Sequence, residues 1–240
     1  MIDLIDVNKH FGKLQALIGI NARFIEGECI ALIGPNGCGK TTLIKSILGM
    51  VIPDSGDVLI NGKSIENQFE YRKQIGYMPQ LGRYPQNMTI GQVISMIQTI
   101  RTDVKMCDTE LLEKFSLTEM YDKKMHTLSG GTTQKVSATL AFLFNPKILI
   151  LDEPTAGLDP LAADILKDKI IQEKKNGKLI LITSHLLDEL DELITQVIYM
   201  QDGEIVFHKN VSDLNSETGT TRVSRAISQI LKTRIHETIS

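Results

Sequence analysis

The stretch "GPNGCGKT", Gly34 to Thr41, fits the pattern GxxxxGK[ST]. It stands between an apolar run, "CIALIG", and a segment with Leu43, Ile44, Ile47 and Leu48 at helical spacing. In that context the string is a phosphate cradle. Its glycines let main-chain N–H groups wrap phosphate oxygens, and the following helix offers its positive end. Lys40 reaches the terminal phosphates, and the Thr41 hydroxyl is placed to ligate Mg²⁺. The contacting residues are Gly34, Pro35, Asn36, Gly37, Cys38, Gly39, Lys40 and Thr41, with Thr42 beside them. A dinucleotide GxGxxG reading is disfavoured: counted from Gly37 and Gly39, its third glycine falls on Thr42.

Two carboxylates, Asp152 and Glu153, follow the apolar residues Ile148 to Leu151. The end of a core strand beside a phosphate loop is a costly place for two negative charges without a cation. Asp152 is therefore the metal-associated candidate and Glu153 the general base. His185, two residues after the strand-like "KLILIT", is a candidate phosphate sensor. A second anion-binding helix end is written in "HTLSGGTTQK", residues 126 to 135. Ser129 suits an N-cap, and Gly130 and Gly131 leave the first helical N–H groups unobstructed. Val136, Leu140, Leu143 and Phe144 would bury that helix. Two phosphate-reading devices with one set of metal chemistry suggest that the second serves another copy of the chain, although both meeting within one chain stays open.

The elements that must carry these groups are legible from periodicity. Ile18, Ile20, Ala22 and Phe24 alternate ahead of the "EGE" turn, which predicts a hairpin feeding the strand before the phosphate loop. "PDSGDVLINGKSI" reads as turn, strand and turn. From 87 to 128 the spacing is helical, and strands return at 148–151 and 179–183. Between those strands Asp159 is an N-cap, Pro160 takes N1 and Gly177 stops the helix. Strand, helix, strand in this order predicts a parallel sheet. Residues 197–207 form a hairpin turning at Asp202-Gly203. The tail carries Val223, Ile227, Ile230, Leu231 and Ile235 on one helical face.

Composition narrows the class. The 240 residues are 42% hydrophobic and 23% charged, which suits one or two globular lobes. A net charge of −3 gives no global basic field to hold nucleic acid or anionic lipid. The N-terminus lacks the pattern of a secretory signal. No apolar run approaches the ~20 residues that span a bilayer. Cys29, Cys38 and Cys107 lack CxxC spacing and fit a reducing cytoplasm.

With these pieces in order, the chain resembles the nucleotide-binding subunit of an ATP-binding cassette (ABC) transporter over residues 2–213. The set is "GPNGCGKTT", Gln80 in "GYMPQ", "LSGGTTQK", "ILILDEPTAGLD" and His185 in "TSH". The resemblance implies an α/β fold: a P-loop NTPase core with a mainly parallel sheet, an N-terminal antiparallel β subdomain and an inserted α-helical subdomain. It implies an ATPase domain over 1–213 with the helical insertion at about 87–145, and a tail, 214–240, of linker plus amphipathic helix. It further implies ATP and Mg²⁺, and a head-to-tail dimer with a second copy or a paralogous ATPase subunit. Each ATP would lie between the phosphate loop of one subunit and Ser129 to Gly131 of the other. By the same resemblance Phe11 stacks on adenine, and Gln80 joins the metal site and couples it to the helical insertion. Asp159 lines the dimer seam, and His185 holds the γ-phosphate beside Glu153. A separate polytopic permease is the implied partner, no nucleic acid is expected, and the location is the cytoplasmic face of a membrane. Tyr84 is a candidate permease contact or a packing residue of the helical lobe. The chain departs from the family in having Thr132 where glutamine usually follows the glycine pair, from which weaker binding of the trans nucleotide is expected. Its wording is similar to ATPase subunits of the ABC-2 group and to the copper-processing ATPase of nitrous oxide reductase maturation. The rival reading is a soluble mechanical ABC ATPase acting on ribosomes or DNA. Such proteins typically fuse two cassettes or carry zinc modules or long coiled coils, whereas this chain has one motif set and no zinc spacing.

Overall fold

Long apolar alternations at the N-terminus pair before any helix intervenes. The computed structural model, which describes residues 1–101, 106–184 and 191–239 and side chains through 233, begins with the antiparallel pair β1 (Ile2–Phe11) and β2 (Leu14–Phe24). The strands β4 (Ser55–Ile60) and β5 (Lys63–Ser64) extend it to a four-stranded sheet in the order β2-β1-β4-β5. Ile2, Leu4, Val7, Leu17, Ile20 and Phe24 face its buried side. The antiparallel β subdomain expected at the N-terminus is this sheet.

The strand β3 (Cys29–Ile33) is buried at all five residues, as a strand covered on both faces must be. It runs parallel to β9 (Gln196–Gln201), which turns back antiparallel into β10 (Glu204–Asn210). Asp202 and Gly203 have φ of 49° and 86°, the paired positive values of a tight hairpin turn. After the phosphate loop, α1 (Lys40–Ile47) buries Leu43, Ile44 and Ile47, the residues whose spacing predicts it. The tail forms α6 (Val211–Thr218) and α7 (Val223–Ile239), with Leu214, Val223, Ala226 and Ile227 buried. Ile230 and Leu231 are half-buried, and the Ile235 side chain lies outside the described set. These elements belong to one compact unit, Met1–Phe69 with Thr183–Ser240.

The second unit, Glu70–Ile182, carries the parallel strands β6 (Ile75–Met78) and β7 (Ile148–Asp152), with β8 (Leu179–Thr183) on the far side of β7. Its helical part contains α2 (Ile90–Ile100), α3 (Glu110–Lys114) and α4 (Gly130–Phe142). The first of these starts at a full capping box: Thr89 accepts from the Gln92 N–H while Gln92 returns a bond to the Thr89 N–H. The helical spacing of "DTELLEKFSL" yields only the short α3 and a 3₁₀ turn at Leu117–Met120, because Ser116 turns left-handed at φ 50°. The expected burial of α4 needs correction. Val136 and Leu143 are buried, but Leu140 and Phe144 are half-exposed, while Gln134, Ser137, Ala138, Thr139, Ala141 and Phe142 are buried. The helix buries its own residues, many of them small or polar, around most of its circumference, so it has no single apolar stripe for periodicity to find.

The helix α5 (Pro160–Lys175) begins as read: the Asp159 carboxylate accepts from the Ala162 N–H at 2.9 Å, and Pro160 occupies the first turn. Midway along it Lys169, 2% exposed, forms ion pairs with Asp108 at 2.6 Å, Glu110 at 2.7 Å and Glu173 at 2.9 Å. Lys178 adds a fourth contact to Glu173 at 2.5 Å. Burial by itself pushes the Lys169 pKa down, but the hydrogen bonds to Asp108, Glu110 and Glu173 outweigh it and raise it. For Glu173, burial pushes up and the two lysines pull down, with a net lowering from 4.5. A lowered carboxylate stabilises above its unfolded pKa and loses that contribution as pH falls through the lowered value. A raised lysine stabilises below 10.5 and loses it as pH rises through its raised value. Lys169, Glu110 and Glu173 are thus ionised across the neutral range, and the cluster pins α3 to α5. Lys169→Met leaves three carboxylates without their shared cation, so a loss of about 3 kcal/mol is expected in urea unfolding at pH 7. An unchanged midpoint and slope would remove the cluster from the stabilising interactions.

Candidate functional site

The phosphate loop is shaped from behind by other strands of its own unit. Gly34 directly follows β3 at φ 152°, and a Cβ there would sit 2.0 Å from the Met200 carbonyl oxygen and 2.7 Å from Cys38 Sγ. The Gly203 N–H, at the tip of the β9–β10 turn, donates to the Cys38 carbonyl at 3.2 Å. Gly39, at φ 105°, is the N-cap of α1 and has no capping side chain, so the first N–H groups of that helix remain for another acceptor. The Lys40 ammonium donates to the Gly34 carbonyl at 2.7 Å and the Pro35 carbonyl at 3.1 Å, and lies 3.7 Å from Cys38 Sγ. Cys38 is 3% exposed, which places its thiol inside the loop. Phe11, at the end of β1, is 50% exposed, with the Lys9 ammonium 5.6 Å from its ring centre. Lys9 is itself held by Asp54 at 2.7 Å, and the same carboxylate accepts from the His10 N–H at 2.6 Å. These two hydrogen bonds lower the Asp54 pKa to about 2.

In the other unit, β7 delivers Asp152 and Glu153 at 7% and 9% exposure. Glu153 stands at φ 53°, a left-handed conformation that costs a non-glycine residue on the order of 1–3 kcal/mol. Its carbonyl accepts from the Ala156 N–H at 3.1 Å and the Gln134 side chain at 3.4 Å, which fasten the turn. Tyr77, on β6, has its pKa pushed up to about 12 by burial and by the charge of Asp152. Gln80 is exposed, two residues beyond β6.

The Ser129 end of α4 is open. The Ser129 hydroxyl accepts from the Thr132 N–H at 3.2 Å as the N-cap reading requires. The two glycines differ in what they do. Around Gly130 nothing lies within 4 Å of a built Cβ, whereas a Cβ on Gly131 would come 2.7 Å from the Gly157 carbonyl oxygen. Gly130 thus keeps the helix tip bare, and Gly131 admits the loop that follows Glu153. That loop is tied to α4 again by Lys135, whose ammonium meets Asp159 at 2.7 Å. The Lys135 hydrogen bond, then the Ala162 N–H, lowers the Asp159 pKa. Tyr84 is half-buried, and its hydroxyl shares a hydrogen bond with Ser137 at 2.8 Å, so packing within the helical lobe accounts for it. A cavity of about 270 Å³ opens beside it, lined by Leu81, Gln86, His126 and Gly130 among others.

His185 lies outside the described residues. In the first unit the phosphate loop runs directly into its helix, and in the second Gly131 and Gln134 of the Ser129 helix meet the turn that follows Asp152 and Glu153. Sequence reading missed the backs of these sites. Met200 and Gly203 brace the phosphate loop, and Gln134, Lys135 and Gly157 lock α4 to the turn after Glu153. The Asp202-Gly203 turn signal was visible, but only the pairing of β3 with β9 brings it to the loop.

Residues 17–156 match the family model described as ABC transporter. The chain is 31% identical over 228 residues to an uncharacterized ABC transporter ATP-binding protein of Bacillus subtilis (strain 168), covering 93% of this chain and 76% of that protein. It is also 31% identical over 207 residues to the Nod factor export ATP-binding protein I of Rhizobium sp. (strain N33), covering 84% and 68%. Among solved structures, the ATP-binding subunit of an ABC transporter superposes with a TM-score of 0.85 at 26% identity, over 96% of this chain and 99% of that one. The choice between a transporter subunit and a soluble mechanical ATPase falls to the former. By sequence and by fold this chain belongs to the ABC transporter family, as an ATP-binding subunit whose hydrolysis of ATP powers transport.

Proposed function

We propose that two such subunits pair head to tail and that each ATP is held by the phosphate loop of one and by Ser129, Gly130 and Gly131 of the other. The observation that carries this reading is the bare tip of α4: Ser129 and Gly130 are exposed, and among the described residues no other segment lies within 4 Å of where a Gly130 Cβ would stand. A helix end with free N–H groups and an outward hydroxyl is complementary to an anionic oxygen. The second subunit is a copy of this chain or a paralogous ATPase subunit. The driven partner is a separate polytopic permease, which puts the chain on the cytoplasmic face of a membrane. Among the described residues no helix is long and apolar enough to cross one. Leu81, 76% exposed at the rim of the cavity beside Tyr84, gives that partner an apolar foothold.

The chemistry is in-line attack of water on the γ-phosphoryl group. Such a reaction gives the protein little covalent work, so positioning and charge neutralisation supply most of the acceleration. Lys40 exchanges the Gly34 and Pro35 carbonyls for phosphate oxygens. The backbone N–H groups of Gly37 to Thr42 bind the phosphates, and Phe11 presents its exposed face to adenine. Glu153 orients the water and accepts its proton, and His185 holds the γ-phosphate beside it. Thr41, Asp152 and Gln80, all oxygen donors of the hard kind that Mg²⁺ takes, are the residues that would hold the ion, which would supply neutralisation of phosphate charge.

Glu153→Gln is expected to reduce ATP turnover at least about 100-fold, the scale of a lost general base, while stabilising an ATP-bound dimer seen by size-exclusion chromatography. Normal turnover in that variant would end the general-base assignment. Ser129→Arg in one subunit of a mixed dimer should disable the phosphate loop of its partner and spare its own. Photo-crosslinking of a labelled ATP analogue to each loop reads this directly, and loss confined to the variant's own loop would refute trans action.

A further inference from the structure

The residue that departs from the family pattern, Thr132, makes a contact of its own. Its hydroxyl lies 2.9 Å from the Ser129 hydroxyl, in addition to the bond from its N–H to the same oxygen. The neighbouring Thr133 hydroxyl is committed to the Ser129 carbonyl, donating at 3.1 Å, so it is the Thr132 hydroxyl that meets the Ser129 hydroxyl. A serine hydroxyl has one proton and two lone pairs. The Thr132 N–H occupies one lone pair. When the Thr132 hydroxyl donates, it fills the second, and the proton is all that Ser129 has left to offer. In the opposite polarity Ser129 spends its proton on Thr132 and turns a lone pair outward. A phosphate oxygen can only accept, so it selects the first polarity.

We infer that Thr132 is a positioning residue for ATP: its hydroxyl fixes the Ser129 hydroxyl as a donor toward the γ-phosphate of the nucleotide bound by the partner subunit. The inference rests on the head-to-tail reading above. It gives a role to the residue at the position where departure from the family pattern leads to an expectation of weaker trans-nucleotide binding. Here the hydroxyl acts through Ser129.

The test uses the full chain in the Glu153→Gln background, with the MgATP concentration for half-maximal dimerisation measured by analytical ultracentrifugation. Thr132→Val and Thr132→Ala keep the capping N–H and remove the hydroxyl. Each should raise that concentration about three- to tenfold, the range of one net hydrogen bond. Thr132→Ser should restore the parental value. In a Ser129→Ala background, Thr132→Val should add nothing, since the hydroxyl it would orient is gone. In the Glu153-intact enzyme the change should fall on KM for ATP more than on kcat. The inference is overturned if Thr132→Val is silent, if Thr132→Ser is as impaired as Thr132→Val, or if the valine effect persists undiminished without Ser129. Failure of the underlying reading has a different signature: Ser129→Ala itself would then leave ATP-driven dimerisation unchanged.

Discussion

Main chain lies against main chain where side chains would otherwise stand, and both anion-binding helix ends depend on it. At Gly34 the carbonyl of Met200 occupies the space of a Cβ, at 2.0 Å; at Gly131 the carbonyl of Gly157 does so at 2.7 Å. Neither loop could take its path with any larger residue. In each case a helix start is braced from behind by a strand turn or a loop, and at α4 the Ser129 hydroxyl also caps the Thr132 N–H. A phosphate-binding surface needs that rigidity, because donors already aimed at an anion need no reorganisation when it arrives.

Charge then links these bare ends to the rest of the second unit. Lys135, one turn into α4, meets the Asp159 carboxylate that caps α5, and Lys169 farther along α5 gathers Asp108 and Glu110 from the helical insertion. Gln134 donates to the carbonyl of the strained Glu153. The helix that presents Ser129 therefore shares direct bonds with the backbone of the general-base candidate and with the start of α5. A displacement of the helical lobe on ligand binding would pass through these contacts.

Much of this was legible beforehand, for reasons that differ by element. Asp159-Pro160 and Ser129 announce helix starts because capping is a local hydrogen-bond requirement met within three residues. The Asp202-Gly203 turn is visible because two positive φ values demand such residues. The burial of α4 was misread, since burial of its own small and polar side chains leaves no apolar period. The run after Asp108 was read as helix, yet it stops after five residues where Ser116 reverses the chain.

The sequence by itself determined the chemistry: a phosphate loop with its lysine, paired carboxylates ending a buried strand, and a serine-glycine helix start, each defined by residues adjacent in the chain. Only the tertiary structure decided how these are held. Met200 behind Gly34, Gly157 against Gly131, and the carboxylates gathered on Lys169 come from segments distant in sequence, and their meeting is fixed by strand pairing and helix packing. The same holds for Thr132. Its identity is written in the chain, but the partner of its hydroxyl follows from the turn of helix that folds it back over Ser129, and that geometry gives the substitution its meaning.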